Sequence, residues 1–222
     1  MFIESSLLSA WLIVLSGLAA GPVLAWAAWA APWQALAQDQ RRVHALGGSL
    51  VLLVLLHSLA FGVTEGLVLH LLGVSTVTLV LGLRLTLLVG AAAMVIALIL
   101  TGHSLVSAPV SWWLSVAAPA LLMRWWVDWL RRHSAPHPFI YIMGAGFLGG
   151  IMAALVTALA GLATLAAIGQ AEWVNAALTN WPVILLIAFP EGFINGTLLT
   201  AFVVLAPDAL KHFDSDYYFL EN

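Results

Sequence analysis

Long apolar runs separated by short polar breaks dominate the chain from Leu7 onward. A bilayer crossing needs about 20 mostly apolar residues, far more than a buried strand supplies. Seven segments reach or approach that length: Leu7–Ala31, His44–Gly62, Leu67–Leu83, Leu85–Thr101, Val110–Leu130, Phe139–Ile168 and Trp181–Ala206. The third and fourth are short and meet at Gly82-Leu83-Arg84, which predicts a tight hairpin turn. Pro22 and Pro190 fall inside the first and last segments, where a missing backbone donor predicts a kink or break. Gly146 and Gly150 in the sixth have the small-xxx-small spacing that lets helices approach closely, within this bundle or against a partner subunit.

The polar breaks are sided. With seven crossings, all seven Lys and Arg residues fall on one side: Arg41, Arg42, Arg84, Arg124, Arg131, Arg132 and Lys211. Basic residues mark the cytoplasmic face, so the N-terminus is expected outside and the C-terminus inside. Trp26, Trp29, Trp33, Trp112, Trp113, Trp125, Trp126, Trp129, Trp173 and Trp181 fall near span ends, as an interfacial belt would. Met1–Ser6 carries Glu4 and no basic residue, so the first segment reads as a retained span and not a signal peptide. The tail His212–Asn222, acidic and aromatic, is expected to be a solvated end.

Composition sharpens this picture. The 222 residues are 63% hydrophobic and 8% charged, against about a quarter charged in soluble domains. The chain therefore reads as an all-α integral membrane protein, one bundle of about seven transmembrane helices over residues 1–222. A net charge of −3 gives no reason to expect a nucleic-acid or polyanionic partner, leaving the lipid bilayer as the expected surroundings. The absence of Cys removes thiolate ligands and nucleophiles. No P-loop pattern and no Ser–His or paired-Asp constellation is present, so an enzyme is not expected.

Against that apolar background, Glu65-Gly66-Leu67-Val68-Leu69-His70 stands out, because a titratable group in a span costs roughly 2–3 kcal/mol or more on insertion scales. The sided topology places His57, His70 and His103, with Glu65 and Glu4, near one outer depth and without a basic neighbour. Imidazole and carboxylate suit Co, Ni or Zn, so the group is a candidate site for a divalent transition metal, with no organic cofactor expected. Plain alternatives stand beside it: helix–helix hydrogen bonding for His57, an interfacial loop for His103 and a solvated end for Glu4. His44, His133, His137 and His212 are expected to be structural or solvated. Glu191, beside Pro190 in the last span, must be protonated, paired or aimed at freed backbone N–H groups; satisfying a broken helix is its structural reading, and transport coupling the functional one.

Three stretches resemble one family in the right order. His70-Leu71-Leu72-Gly73, running to Leu81-Gly82, resembles a His-Leu-Leu-Gly signature that ends in a Gly-Pro-Trp turn. Pro190-Glu191-Gly192-Phe193-Ile194-Asn195-Gly196-Thr197 resembles a Gly-Glu-Gly-x-Ile-Thr-Ala segment, and Met1-Phe2-Ile3-Glu4 is similar to a Met-His-Ile-Pro-Asp start. The family is that of the cobalt/nickel substrate-binding permeases of energy-coupling factor ABC transporters, the CbiM/NikM type. The resemblance implies an S-component-like bundle in the bacterial inner membrane that captures cobalt or nickel outside. It also implies a transmembrane coupling subunit and cytoplasmic ATPases as partners. In the nickel-binding members the N-terminal amine, the second-position His and the His matching His70 hold the metal, so the match carries Met1 and His70. Here Phe2 replaces the second-position His, Glu4 stands near the displaced aspartate position, and Leu83-Arg84 replaces Pro-Trp, which marks a divergent branch.

Two other classes fit parts of the pattern. A non-transporting membrane scaffold is consistent with the Phe2 departure. An intramembrane haem b carrier would use two of His57, His70 and His103 as axial ligands.

Overall fold

The computed structural model describes residues 2–64, 67–211, 213 and 218. Among the described residues, five helices are long and apolar enough to cross a membrane: α1 (Ala10–Ala30), α5 (Leu83–Leu100), α6 (Leu105–His133), α7 (Pro138–Ala167) and α9 (Trp181–Leu205). A sixth long helix, α3 (Gln40–Ser58), has 19 residues and begins with the polar run Gln40-Arg41-Arg42. Two short helices connect them, α2 (Trp33–Ala37) and α8 (Ala171–Thr179). The chain is a multi-pass membrane protein.

The third expected span is not a helix of that length. Leu67–His70 is a strand, β3, and only Val74–Leu81 is helical, as α4. Eight residues rise about 12 Å, too little for a hydrocarbon core of about 30 Å. Polar backbone of this kind is tolerated at membrane depth only where protein covers it, and all eight residues of α4 are buried. The nearly all-helical chain also holds a small antiparallel sheet that the apolar pattern did not announce. β3 lies between β1 (Phe2–Ile3) and β2 (Ala60–Thr64). Its register sets Phe2 opposite Val68 and Ala60 opposite His70.

The expected turn at Gly82 is present. Gly82 joins α4 to α5 with φ of 77°, a left-handed value that L side chains avoid. Pro22 and Pro190 are carried inside continuous helices, so neither breaks its span. Two stretches of π-helix, Trp113–Ala117 in α6 and Ile142–Leu148 in α7, widen the turns next to Pro119 and around the glycine run.

α7 and α9 cross at matched glycine pairs. A Cβ on Gly150 would lie 2.9 Å from both the Glu191 carbonyl oxygen and Gly192 Cα, and one on Gly146 would lie 3.0 Å from Gly196 Cα. The Gly146/Gly150 face is thus used inside the bundle, against Gly192 and Gly196 of α9. Gly150→Ala should force these backbones apart and cost about 1–3 kcal/mol. A lowered thermal midpoint in detergent checks this; an unchanged midpoint would mean that the crossing yields without strain.

Trp26, Trp29, Trp125 and Trp181 are exposed, as an interfacial belt requires, but Trp112 is only 3% exposed. It sits in the core and donates from Nε1 to the Leu87 carbonyl, an interior anchor in place of the expected belt residue. The tail also departs from expectation. Phe213 and Tyr218 are buried, stacked on one another and packed against Tyr141 of α7, because apolar rings gain more from covering the bundle end than from solvation.

Candidate functional site

The hairpin of β2 and β3 folds the chain back so that the end of α3 meets the end of β3. His57, one residue before the end of α3, and His70, the last of β3, lie with ring centroids 4.5 Å apart and planes tilted by 52°. Both are buried, His57 completely. The His70 Nδ1 is 3.0 Å from the Leu71 carbonyl oxygen, and its Nε2 is 3.5 Å from Ser115 Oγ on the π-helical turn of α6. A carbonyl only accepts, so Nδ1 carries the proton and the Nε2 lone pair faces the hydroxyl side. Neither ring nitrogen of His57 makes a hydrogen bond within the described residues, although the Leu72 backbone lies close enough to interact with the ring. Buried polar atoms are almost always satisfied, so a fully buried imidazole with no well-formed hydrogen bond among the described residues requires an explanation.

The loop after His70 is held from α9. Glu191 Oε2 accepts from the Leu72 N–H at 2.7 Å, and Oε1 accepts from the Gly73 N–H at 2.8 Å. Asn195, one turn further along α9, donates from Nδ2 to Glu191 Oε1 at 2.6 Å. Its Oδ1 accepts from the Thr76 N–H at 3.0 Å and from Thr76 Oγ1 at 2.7 Å. An amide N–H can only donate, so Thr76 fixes which way the Asn195 amide points. A helix start exposes unpaired N–H groups and the positive end of its dipole, and a carboxylate answers both. Glu191 and Asn195 thus clasp the first turn of α4. The carboxylate serves the backbone N–H groups of another element, where a break in its own helix was the expected customer.

Gly73 makes the clasp possible. It is left-handed, with φ of 63°, and an added Cβ would collide with Leu56 Cδ1, one residue before His57. The two imidazole-bearing segments are therefore locked to each other through Gly73 and Leu56, and to α9 through Glu191.

The remaining expected ligands fall elsewhere or outside view. His103 turns its Nδ1 to Thr101 Oγ1 at 2.9 Å, and Glu4 is exposed. Among the described residues, no three of His, Asp and Glu come together as a metal site. Met1 and Glu65 lie outside the described residues. Asn195, Thr76 and Ser115 were not singled out from the sequence. Asn195 had a legible signal, since Glu191-x-x-x-Asn195 puts two polar side chains on one face of an apolar helix; Ser115 had none.

The fold has counterparts. A crystal structure described as a truncated transition metal transporter superposes with a TM-score of 0.69 over 91% of this chain and 98% of that one, at 16% identity. Another, described as a transition metal transporter, gives the same score and identity over 91% and 92%. At that identity the likeness speaks for the fold. No curated protein sequence matches the chain. The family described as the cobalt uptake substrate-specific transmembrane region matches residues 2–209, and on that match the chain belongs to the CbiM family of metal-uptake membrane components.

Proposed function

We propose that this protein is the substrate-capturing membrane component of an energy-coupling factor importer for cobalt or nickel, and that His57 and His70 bind the ion together. The observation that carries this reading is the 4.5 Å spacing of the two rings. Imidazoles on one ion, each with a metal–nitrogen bond of about 2.1 Å, have centroids about 4.5 Å apart when bound side by side at a right angle. The square-planar and octahedral preferences of nickel and cobalt supply such angles. The His57 ring, with no well-formed hydrogen bond among the described residues, and the carbonyl that fixes the His70 tautomer suit the same role.

Further ligands come from the N-terminal segment in this proposal, with the Met1 amine first among them. Strand β1 supports this, because it starts at Phe2 opposite Val68, two residues from His70. The N-terminus then faces outside, the basic end faces the cytoplasm of a bacterial cell, and a coupling subunit with ATPases completes the importer. Axial haem ligation needs rings on opposite faces of the iron, about 6 Å apart, so the His57–His70 pair fits it poorly.

Elemental analysis of protein purified with excess cobalt or nickel tests the reading. The wild type should hold about one ion per chain, and His57→Ala and His70→Ala should each lower the affinity at least tenfold. Equal binding by all three proteins would remove the pair from the site.

A further inference from the structure

A second site lies at the other end of the bundle, where the basic residues gather. A cavity of about 830 Å³ opens between α2, the start of α3, the α4–α5 turn and the end of α9. Its wall is apolar, with Val80, Leu81, Leu85 and Phe202, and Arg41, Arg42 and Lys211 stand at its polar side. Among the described residues, the acidic groups there are Asp39 and Asp208. Asp39 is already engaged, by Arg42 Nε at 3.4 Å and by the Arg41 backbone N–H at 2.9 Å. Lys211 is exposed at the cavity's polar side, its backbone is hooked by an N–H donated to the Leu79 carbonyl at 3.0 Å, and among the described residues its ammonium has no ion-pair partner. Partial desolvation first, and then the charges of Arg84, Arg124 and Arg42, hold its pKa below the ordinary lysine value. A cation placed among cations is a costly arrangement that an anion would relieve.

We infer that this cavity binds a phosphate-bearing anion, whose charge rests on Lys211 and Arg42, and that the occupant is an anionic phospholipid with an acyl chain along Val80, Leu81, Leu85 and Phe202. The amphipathic lining favours lipid over free phosphate, since a soluble ion would leave the apolar wall uncovered. The exposed Trp29 and Trp33, near the end of α1 and in α2, put this end of the bundle at the depth of headgroups. Basic pockets between helices at that level are where anionic headgroups bind. The site is separate from the imidazole pair and does not depend on metal binding.

Native mass spectrometry of delipidated protein tests the inference, with phosphatidylglycerol, phosphatidylcholine and inorganic phosphate added in separate arms. Phosphatidylglycerol should bind the wild type at least tenfold more tightly than phosphatidylcholine. Lys211→Gln and Arg42→Gln should each reduce that preference to about threefold or less while leaving metal binding unchanged. Phosphate that competes off phosphatidylglycerol in the wild type supports the shared headgroup chemistry, and phosphate bound as tightly as the lipid would assign the site to a soluble anion and overturn the lipid occupant. Equal binding of both lipids with no response to phosphate, or an undiminished preference in both variants, would overturn the site.

Discussion

Glu191→Ala should lower stability by about 2–4 kcal/mol and abolish high-affinity metal binding, through the hydrogen bonds of Glu191 to the Leu72 and Gly73 backbone and to Asn195. The substitution strips the Leu72 and Gly73 N–H groups of their acceptors and leaves the Asn195 amide without one of its partners. Each buried donor left unmet costs about 1–3 kcal/mol. Polar pairs in membranes average less than that, because the unfolded chain in lipid also finds partners, so the estimate takes the lower part of the summed range. The loop then no longer holds His70 against His57. Glu191→Gln keeps one acceptor and should lie between the two, since its amide nitrogen must face at least one N–H. Thermal unfolding in detergent and metal titration read the two effects. A variant as stable as wild type and still binding metal would show that the α4 start is held by packing alone.

Gly73→Ala should be comparably harmful for a steric reason. An alanine in the left-handed region costs about 1–2 kcal/mol, and overpacking adds about 1–3 kcal/mol. The displaced atom is Leu56 Cδ1, so the strain passes directly into the helix that carries His57. A double variant separates the two costs. Leu56→Ala removes the collision but not the backbone strain, so combining it with Gly73→Ala should recover part of the loss beyond additivity. Strict additivity of the two thermal shifts would mean that the side chains do not meet.

Much of the fold was legible because lipid is an undemanding solvent. It asks only that side chains be apolar and backbone groups be paired, so the long runs around α1, α5, α6, α7 and α9 could be read as helices from length alone. The turn at Gly82 was legible for the same reason: a glycine interrupts two short runs. The stretch 60–73 was not. Its residues are as apolar as a span, and periodicity cannot separate a buried strand from a buried helix over so few positions. What distinguishes them is the partner that takes up the backbone groups: β1 and β2 for the strand, Glu191 and Asn195 for the start of α4. Glu191 and Asn195 lie more than a hundred residues away and β1 lies at the start of the chain, so no local window contains them; only β2 is a neighbour in sequence.

The site shows the same division. His57 and His70 could be singled out from the chain, because an imidazole in an apolar run is costly wherever it stands. His103 carried the same local signal, yet its ring turns to Thr101. Glu191 was recognisable as a costly group, but not as the clasp of a loop on another element. Residue chemistry along the chain therefore settled the solvent, the long helices and the groups needing a reason to be buried. Which of those groups meet was a matter of tertiary packing. Hydrogen bonds and van der Waals contacts act only over a few ångströms, and only the hairpin, the left-handed Gly73 and the α7–α9 crossing bring remote residues within that range.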